Sequence, residues 1–235
     1  MMDNNFIINE LVRNNNTNVG VLDKIVSILS WIAENNGGLK EIVAETKIPR
    51  STAHRLLLAL EQHRLVTRRL NSYYIGTQII GWSEASKLTE LIKVTKPLLI
   101  NLRNLVGEST QLYVREGNNR VCLVSVEPIA GLKNTVPVGA VYPLDVGSAG
   151  KVIFAWDEIK TDSSNTSEIL EQGWAQSIEE REEGVASVSA PVLKSGVLIG
   201  VISISGPISR LGLEPGKNLS DTLIKTSKEI ELALN

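Results

Sequence analysis

The sequence predicts an α+β protein in two parts. The first is a small N-terminal winged helix-turn-helix domain; the second is a larger domain with an antiparallel sheet and flanking helices. Three observations carry this. Apolar residues recur at helical spacing in three short segments between Val21 and His63, and a strand-like pair follows at once. From Thr110 onward, β-prone runs alternate with tight-turn residues. The 235 residues, 43% hydrophobic and 21% charged, suffice for buried cores in one large domain or two small ones.

Residues 1–18 hold seven asparagines and read as a mobile arm with at most a short helix over Phe6–Val12. The first domain helix places Leu22, Ile25, Val26, Leu29, Ile32 and Ala33 at helical intervals, and Asn35–Gly38 stops it. A second short helix has Leu39, Ile42 and Val43 on one face. After the turn Lys47–Pro49 a third helix runs over Arg50–His63. Its apolar stripe is Ala53, Leu56, Leu57 and Leu60, and its opposite side carries Arg50, Ser51, His54 and Arg55. Leu65–Arg68 and Tyr73–Ile75 form the wing, joined by Leu70–Ser72. This order makes the third helix a recognition helix whose first residues reach base edges. The candidate DNA contacts are Lys47, Arg50, Ser51, Thr52, His54 and Arg55, with Arg68 and Arg69 at the wing reaching phosphates.

Residues 77–107 read as a helical linker, with Pro97 as a break or start. Strands are expected at Thr110–Arg115 and Val121–Glu127 around a turn at Gly117–Asn119, and a short one at Thr135–Val138. A helix over Ser148–Trp156 and a polar, loop-like stretch at 157–167 come next. Further strands are expected at Trp174–Ser177, Val185–Val192 and Val197–Ser205, the last two joined at Lys194–Gly196. The final helix spans Asn218–Leu234, with Leu219, Leu223, Ile230 and Leu234 inward. The domains are therefore 1–18, 19–76, 77–107 and 108–235.

The net charge of −2 conceals an uneven distribution. Residues 47–69 carry six Lys or Arg against Glu61 alone, a local +5. Such asymmetry fits nucleic acid, with a solvated helix face as the plain alternative. One cysteine, Cys122, and two histidines exclude an intrachain disulfide and a Cys/His zinc site, and no cofactor is expected. The longest nearly apolar run, Val197–Ile204, is far short of the ~20 residues a membrane helix needs. With no apolar signal segment, a cytoplasmic protein is expected. Gly150-Lys151 lacks the glycine and hydroxyl residue of a phosphate loop. Ser148-Ala149-Gly150-Lys151 echoes the S-x-x-K of serine acyl-enzymes, but the segments that follow are too short for that fold.

Alternation in the last two strands puts Ser187, Ser189, Ser203 and Ser205 on one face, with Val188, Ala190, Ile202 and Ile204 on the other. A hairpin centred near Ser195 would pair Ser187 with Ser203. Hydroxyls both donate and accept, so this face suits a small ligand bearing carboxylate and amine groups. An ordinary solvent-exposed sheet face is the alternative.

At this point the chain resembles the IclR family of bacterial transcription regulators. The first part carries Ile48-Pro49-Arg50-Ser51-Thr52-Ala53-His54-Arg55-Leu56-Leu57, Leu65-Val66 and Tyr74-Ile75-Gly76. The second carries Pro143-Leu144, Ala149-Gly150-Lys151, Glu183-Gly184-Val185, Ala190-Pro191-Val192 and Ser203-Ile204-Ser205-Gly206-Pro207. Thr135–Gly139, Gly173–Ser177 and Gly184–Val192 look like an actinobacterial branch, NdgR/LtbR-like, that regulates amino-acid and especially leucine biosynthesis. The resemblance implies a GAF-like effector domain, a homodimer or dimer of dimers, a pseudo-palindromic operator in double-stranded DNA, and an amino acid or small carboxylate as effector. It places effector contacts on Ser148, Ala149, Ser177, Ser187, Ser203 and Ser205, to which alternation adds Ser189. Ser177 stands where some members have an acidic pocket residue, residues 157–172 are shorter than the usual pocket cover, and Arg64 replaces a common glycine. Two other readings compete: a ligand-binding module with weak or lost DNA binding, and an enzyme, for which no nucleophile, base and orienter can be assembled.

Overall fold

A computed structural model describes residues 17–86, 88–156 and 166–234. The expected arm, up to residue 16, and most of the polar stretch at 157–167 lie outside the described residues. The chain forms two compact units, one ending at Thr89 and one beginning at Glu90.

The first unit holds α1 (Gly20–Glu34), α2 (Leu39–Thr46), α3 (Arg50–Gln62), β1 (Val66–Arg69), β2 (Ser72–Ile75) and α4 (Thr77–Glu84). Its core is mainly aliphatic, as the scarcity of aromatics requires. Ile28 and Ile32 of α1 and Ile42 of α2 meet Ala53, Leu57 and Leu60 of α3 over Val66 and Tyr73 of the hairpin. The stripe read from the sequence is thus the buried face of α3. The wing turns at Leu70-Asn71, with Arg69 opposite Ser72, and Tyr73 N–H donates to the Gly37 carbonyl at 2.9 Å. Arg64 adopts the left-handed conformation (φ 57°) after α3, where glycine is commoner. Gly76 meets this corner from the other side. A Cβ on it would lie 2.1 Å from the Arg64 carbonyl oxygen, while its N–H donates to Leu65 at 2.8 Å.

The second unit is a six-stranded antiparallel sheet ordered β5-β4-β3-β8-β7-β6. Its strands are β3 (Ser109–Glu116), β4 (Asn119–Val126), β5 (Val141–Pro143), β6 (Ala175–Ile178), β7 (Val185–Lys194) and β8 (Val197–Pro207). The helices are α5 (Leu88–Val106), α6 (Ser148–Trp156), α7 (Thr166–Gln172), α8 (Ile208–Leu211) and α9 (Pro215–Ala233). On one face Ala186, Val188, Ala190, Val192, Ile202 and Ile204 are fully buried. There α9 packs on β7, and Ser227 Oγ donates to the Pro191 carbonyl. From the helix α5, the Leu99 carbonyl accepts from Thr110 Oγ1 at 3.0 Å. The opposite face lies under α6.

Four expectations need correction. Pro97 neither breaks nor starts a helix but lies inside α5; the break falls at Ala85-Ser86. Thr135–Val138 is not a strand. The edge of β4 is used instead by the following residues: Cys122 exchanges hydrogen bonds with Gly139 and Ala140, and Val141–Pro143 continues the pairing. Thr166 and Ser167, at the end of the stretch expected to be loop, instead open the helix Thr166–Gln172, which is anchored by buried Ile169. Finally, Ser187 pairs with Ser205 and Ser189 with Ser203, not Ser187 with Ser203. The turn is the two residues Ser195-Gly196, and a bulge at Val192/Leu193 adds one more step. The two offsets sum to an even shift, so the facing of every serine survives.

Two outcomes are expected. Gly76→Ala should destabilise the protein by roughly 1–3 kcal/mol in urea unfolding, because the methyl meets backbone that cannot rotate away; an unchanged midpoint would contradict the packing. Burial pushes the Cys122 thiol from 9.0 to about 12. The folded value lies above the unfolded one, so the linked stability is complete below pH 9 and is lost as pH rises toward 12. Cys122→Ala should therefore lose less stability than the parent across that interval.

Candidate functional site

Two sites emerge, one in each unit. In the first, Arg50, Ser51, His54 and Arg55 are exposed on the first two turns of α3, and Thr52 is half-buried. An open groove brings Arg50, Ser51 and His54 together with Arg68 and Asn71 of the wing and Lys40 of α2. The Arg68 guanidinium lies over the Tyr73 ring at 5.7 Å, which holds it along the wing. Lys47, Thr52, Arg55 and Arg69 do not line the groove. Lys47 caps α2 in the left-handed conformation and donates from Nζ to the Ala44 carbonyl at 2.6 Å; Arg69 is exposed beside the wing turn. Lys40 escaped the sequence reading because it lies outside the basic segment. His63 caps the end of α3.

In the second unit the serine face is buried rather than exposed. Ser148, Ala149, Ser177, Ser187, Ser203 and Ser205 all line one small cavity of about 20 Å³. Ser189 lies directly behind, fully buried. The hydroxyls are linked. Ser177 Oγ is 2.9 Å from Ser187 Oγ, and Ser148 Oγ is 2.7 Å from both Ser187 Oγ and Ser189 Oγ. Ser189 donates to Ser203 at 2.9 Å, and Ser203 to the Val188 carbonyl at 3.3 Å. A second group runs from Arg181 Nη2 to Asn134 Oδ1 (2.8 Å), from Asn134 Nδ2 to Ser205 Oγ (2.8 Å), and from Ser205 to Gln111 Oε1 (3.1 Å). Gln111 Nε2 is buried with no partner among the described residues.

The sequence reading missed Tyr113 and Arg120, which also line this cavity. Alternation along β4 would set Val121 beside Ser125. A bulge at Leu123 of β4, opposite Leu112/Tyr113, changes the phase, so that Arg120 and Cys122 share the face of Gln111 and Tyr113. The Arg120 guanidinium lies between the Tyr113 and Tyr142 rings, at 5.6 and 5.4 Å. Burial lowers its pKa and raises that of Tyr142. Arg181, also on the cavity wall, lies 4.9 Å from the Tyr142 centroid.

The S-x-x-K resemblance dissolves in this geometry. Ser148 is engaged by serines, while Lys151 Nζ donates to the Gln176 carbonyl at 3.0 Å and pairs with Glu180. Gly150 serves a close approach instead of a phosphate, since a Cβ there would meet the Leu144 carbonyl at 2.0 Å. Trp174 is a packing residue, its ring pressed on Gly216 of α9. Among the described residues no cluster of His, Cys, Asp or Glu could hold a metal ion, and no helix is long and apolar enough to cross a membrane.

A winged helix with a cationic recognition-helix groove, carried with a second unit built around a buried polar cavity, defines a DNA-binding regulator with a sensor-type domain. Family models agree over nearly the whole chain. Residues 21–70 match the IclR helix-turn-helix domain, and residues 84–167 and 163–232 match the bacterial transcriptional regulator IclR C-terminal domain. The chain belongs to the IclR family of bacterial transcriptional regulators, whose members are not enzymes. It is similar to the transcriptional repressor IclR of Escherichia coli, with 26% identity over 247 residues, covering 90% of this chain and 89% of the relative. Its fold is that of Thermotoga maritima IclR (TM-score 0.70, 23% identity, 92% and 98% of the two chains). It is also that of an IclR homolog from Microbacterium hydrocarbonoxydans complexed with 4-hydroxybenzoate (TM-score 0.73, 20% identity, 91% and 98%).

Ser189→Ala should cost about 1–3 kcal/mol of stability, because it strands the buried hydroxyls on either side. Ser187→Ala, at the half-buried edge, should cost clearly less. Equal losses in urea unfolding would mean that the row is not a linked unit.

Proposed function

We propose that this regulator binds a pseudo-palindromic operator as a homodimer or dimer of dimers. It controls amino-acid biosynthesis genes, leucine genes first, in response to a small polar metabolite in the cytoplasm. Residues 19–76 read the DNA, 77–107 link the domains, and 108–235 hold the effector. The observation that carries the reading is the gathering of Ser148, Ala149, Ser177, Ser187, Ser203 and Ser205 around one cavity behind a single sheet face. The motifs at Thr135–Gly139, Gly173–Ser177 and Gly184–Val192 support the amino-acid branch. On the DNA side, Arg50, Ser51 and His54 supply base-edge donors and acceptors, while Arg68 and Lys40 supply phosphate charge.

The Microbacterium relative holds an aromatic acid. Here a cavity of about 20 Å³ has room for roughly one water, so a ligand of that size enters only if side chains move. The effector must favour one arrangement of the DNA-reading units over another for it to control binding.

A mobility-shift titration on the upstream regions of leucine-biosynthesis genes, with and without L-leucine, tests the reading. A shifted band that weakens steeply with salt is expected; no specific shift on any such region would reject this gene class. Arg50→Ala should weaken operator binding by roughly 1–3 kcal/mol if it reads a base. Ser187→Leu should change the effector response yet leave effector-free DNA binding intact, and an unaltered response would remove the serine cavity from effector control.

A further inference from the structure

Taking the serine cavity as the effector site, we propose that Arg120 and Arg181 form its acid-reading element and clamp the effector's carboxylate. The serines then address the rest of the molecule. Arg120 is only 3% exposed. Its Nη1 donates to the carbonyls of Pro143 and, at 2.7 Å, Val146. Its Nε is buried with no partner among the described residues. Asp145 acts on it electrostatically, yet no carboxylate lies within ion-pair distance of Arg120 among the described residues.

Arg181 approaches the same cavity from the turn between β6 and β7. Its hydrogen bond goes to Asn134, and Glu182, half-exposed to solvent, lies 3.7 Å from its Nη2. Both guanidiniums lie against the Tyr142 ring. A buried charge is costly unless it is paired, and two like charges on one ring add to that cost. Carbonyls and ring faces ease the burden without supplying a counter-charge. Just before α6, Gly147 N–H already donates to Glu180 Oε2 at 2.9 Å, so a second anion at that helix end would face a carboxylate. The one carboxylate on the wall among the described residues, Glu182, is half-exposed and lies 3.7 Å from Arg181, so what the wall lacks is an anion for Arg120.

A carboxylate meets this need better than a phosphate. Its planar pair of oxygens matches the guanidinium fork, and its small head suits so small a cavity. A tetrahedral phosphate would need more space and further donors.

The test uses the full chain and titration calorimetry with matched acids and amides: L-leucine and L-leucinamide, 4-methyl-2-oxopentanoate and its amide, benzoate and benzamide, and inorganic phosphate. At least one acid is expected to bind while its amide fails to. Arg181→Gln and Arg120→Lys should each weaken that acid by roughly 10- to 100-fold. Arg181 leaves from a turn and bears on no sheet hydrogen bond, so Arg181→Gln decides the matter if Arg120→Lys does not fold. Equal acid binding by a folded variant, or equal binding of acid and amide by the parent, overturns the arginine assignment while leaving the effector site in place. Binding of phosphate but of no acid overturns the choice of carboxylate. Failure of every probe to bind the parent rejects the small-acid effector and the clamp with it.

Discussion

Burying a hydroxyl is costly unless it finds a partner, and linking the cavity serines organises this face of the second unit, although Ser109 Oγ and Ser125 Oγ lie buried with no partner among the described residues. Ser189 is wholly inaccessible and Ser203 nearly so. Neither can turn to water. Their partners come from across the strands and from Ser148 at the start of α6, so the helix must sit where its first residue reaches two neighbouring positions of β7. Further ties hold the surrounding segments. Lys151 pairs with Glu180, and Arg210 grips buried Glu108 through two donors while reaching the Leu132 carbonyl at 2.7 Å. On the other face the requirement vanishes, and aliphatic packing under α9 is enough.

The same contrast explains what could be read from the chain. Helical stripes in the first unit were legible because burial there follows a single period: Ala53, Leu57 and Leu60 are inward wherever the helix goes. The serine face was legible for a related reason. A strand's facing depends on odd or even position, so an error of two steps in pairing left Ser187, Ser189, Ser203 and Ser205 together. An odd error would have scattered them. Arg120 was illegible because a single-residue bulge in β4 reverses the parity between it and Ser125, and nothing local in the sequence announces a bulge. The partner of β4 was equally hidden, since alternation proposes a strand without saying which edge it joins. Pro97 misled because its penalty is local, while the packing of Leu91, Leu99 and Leu102 extends along the whole of α5.

In the first unit the reading depends on sharp corners more than on area. The corner after α3 joins a left-handed Arg64 to the close approach of Gly76, and it sets where the wing begins relative to the recognition helix. Gly37 holds the root of β2 by its bridge to Tyr73. These constraints carry Arg68 and Asn71 to the same groove as Arg50 and His54, residues far apart in charge patterning but adjacent in space. The helix-turn-helix family match, residues 21–70, covers the three helices and β1 of this frame and stops before Asn71, Tyr73 and Gly76.

The linked serines have a sense of direction. Each hydroxyl owns one proton. Ser203 spends its proton on the Val188 carbonyl, so it must receive from Ser189. Ser189 must then receive from Ser148, Ser148 from Ser187, and Ser187 from Ser177. A carbonyl at one terminus thereby polarises the whole relay, and Ser177 is the member that accepts from no other in the row. Whatever meets the row at that end is met by an acceptor: an ammonium or hydroxyl group continues the sequence, whereas a bare oxygen anion would face lone pairs and force every proton in the row to reverse.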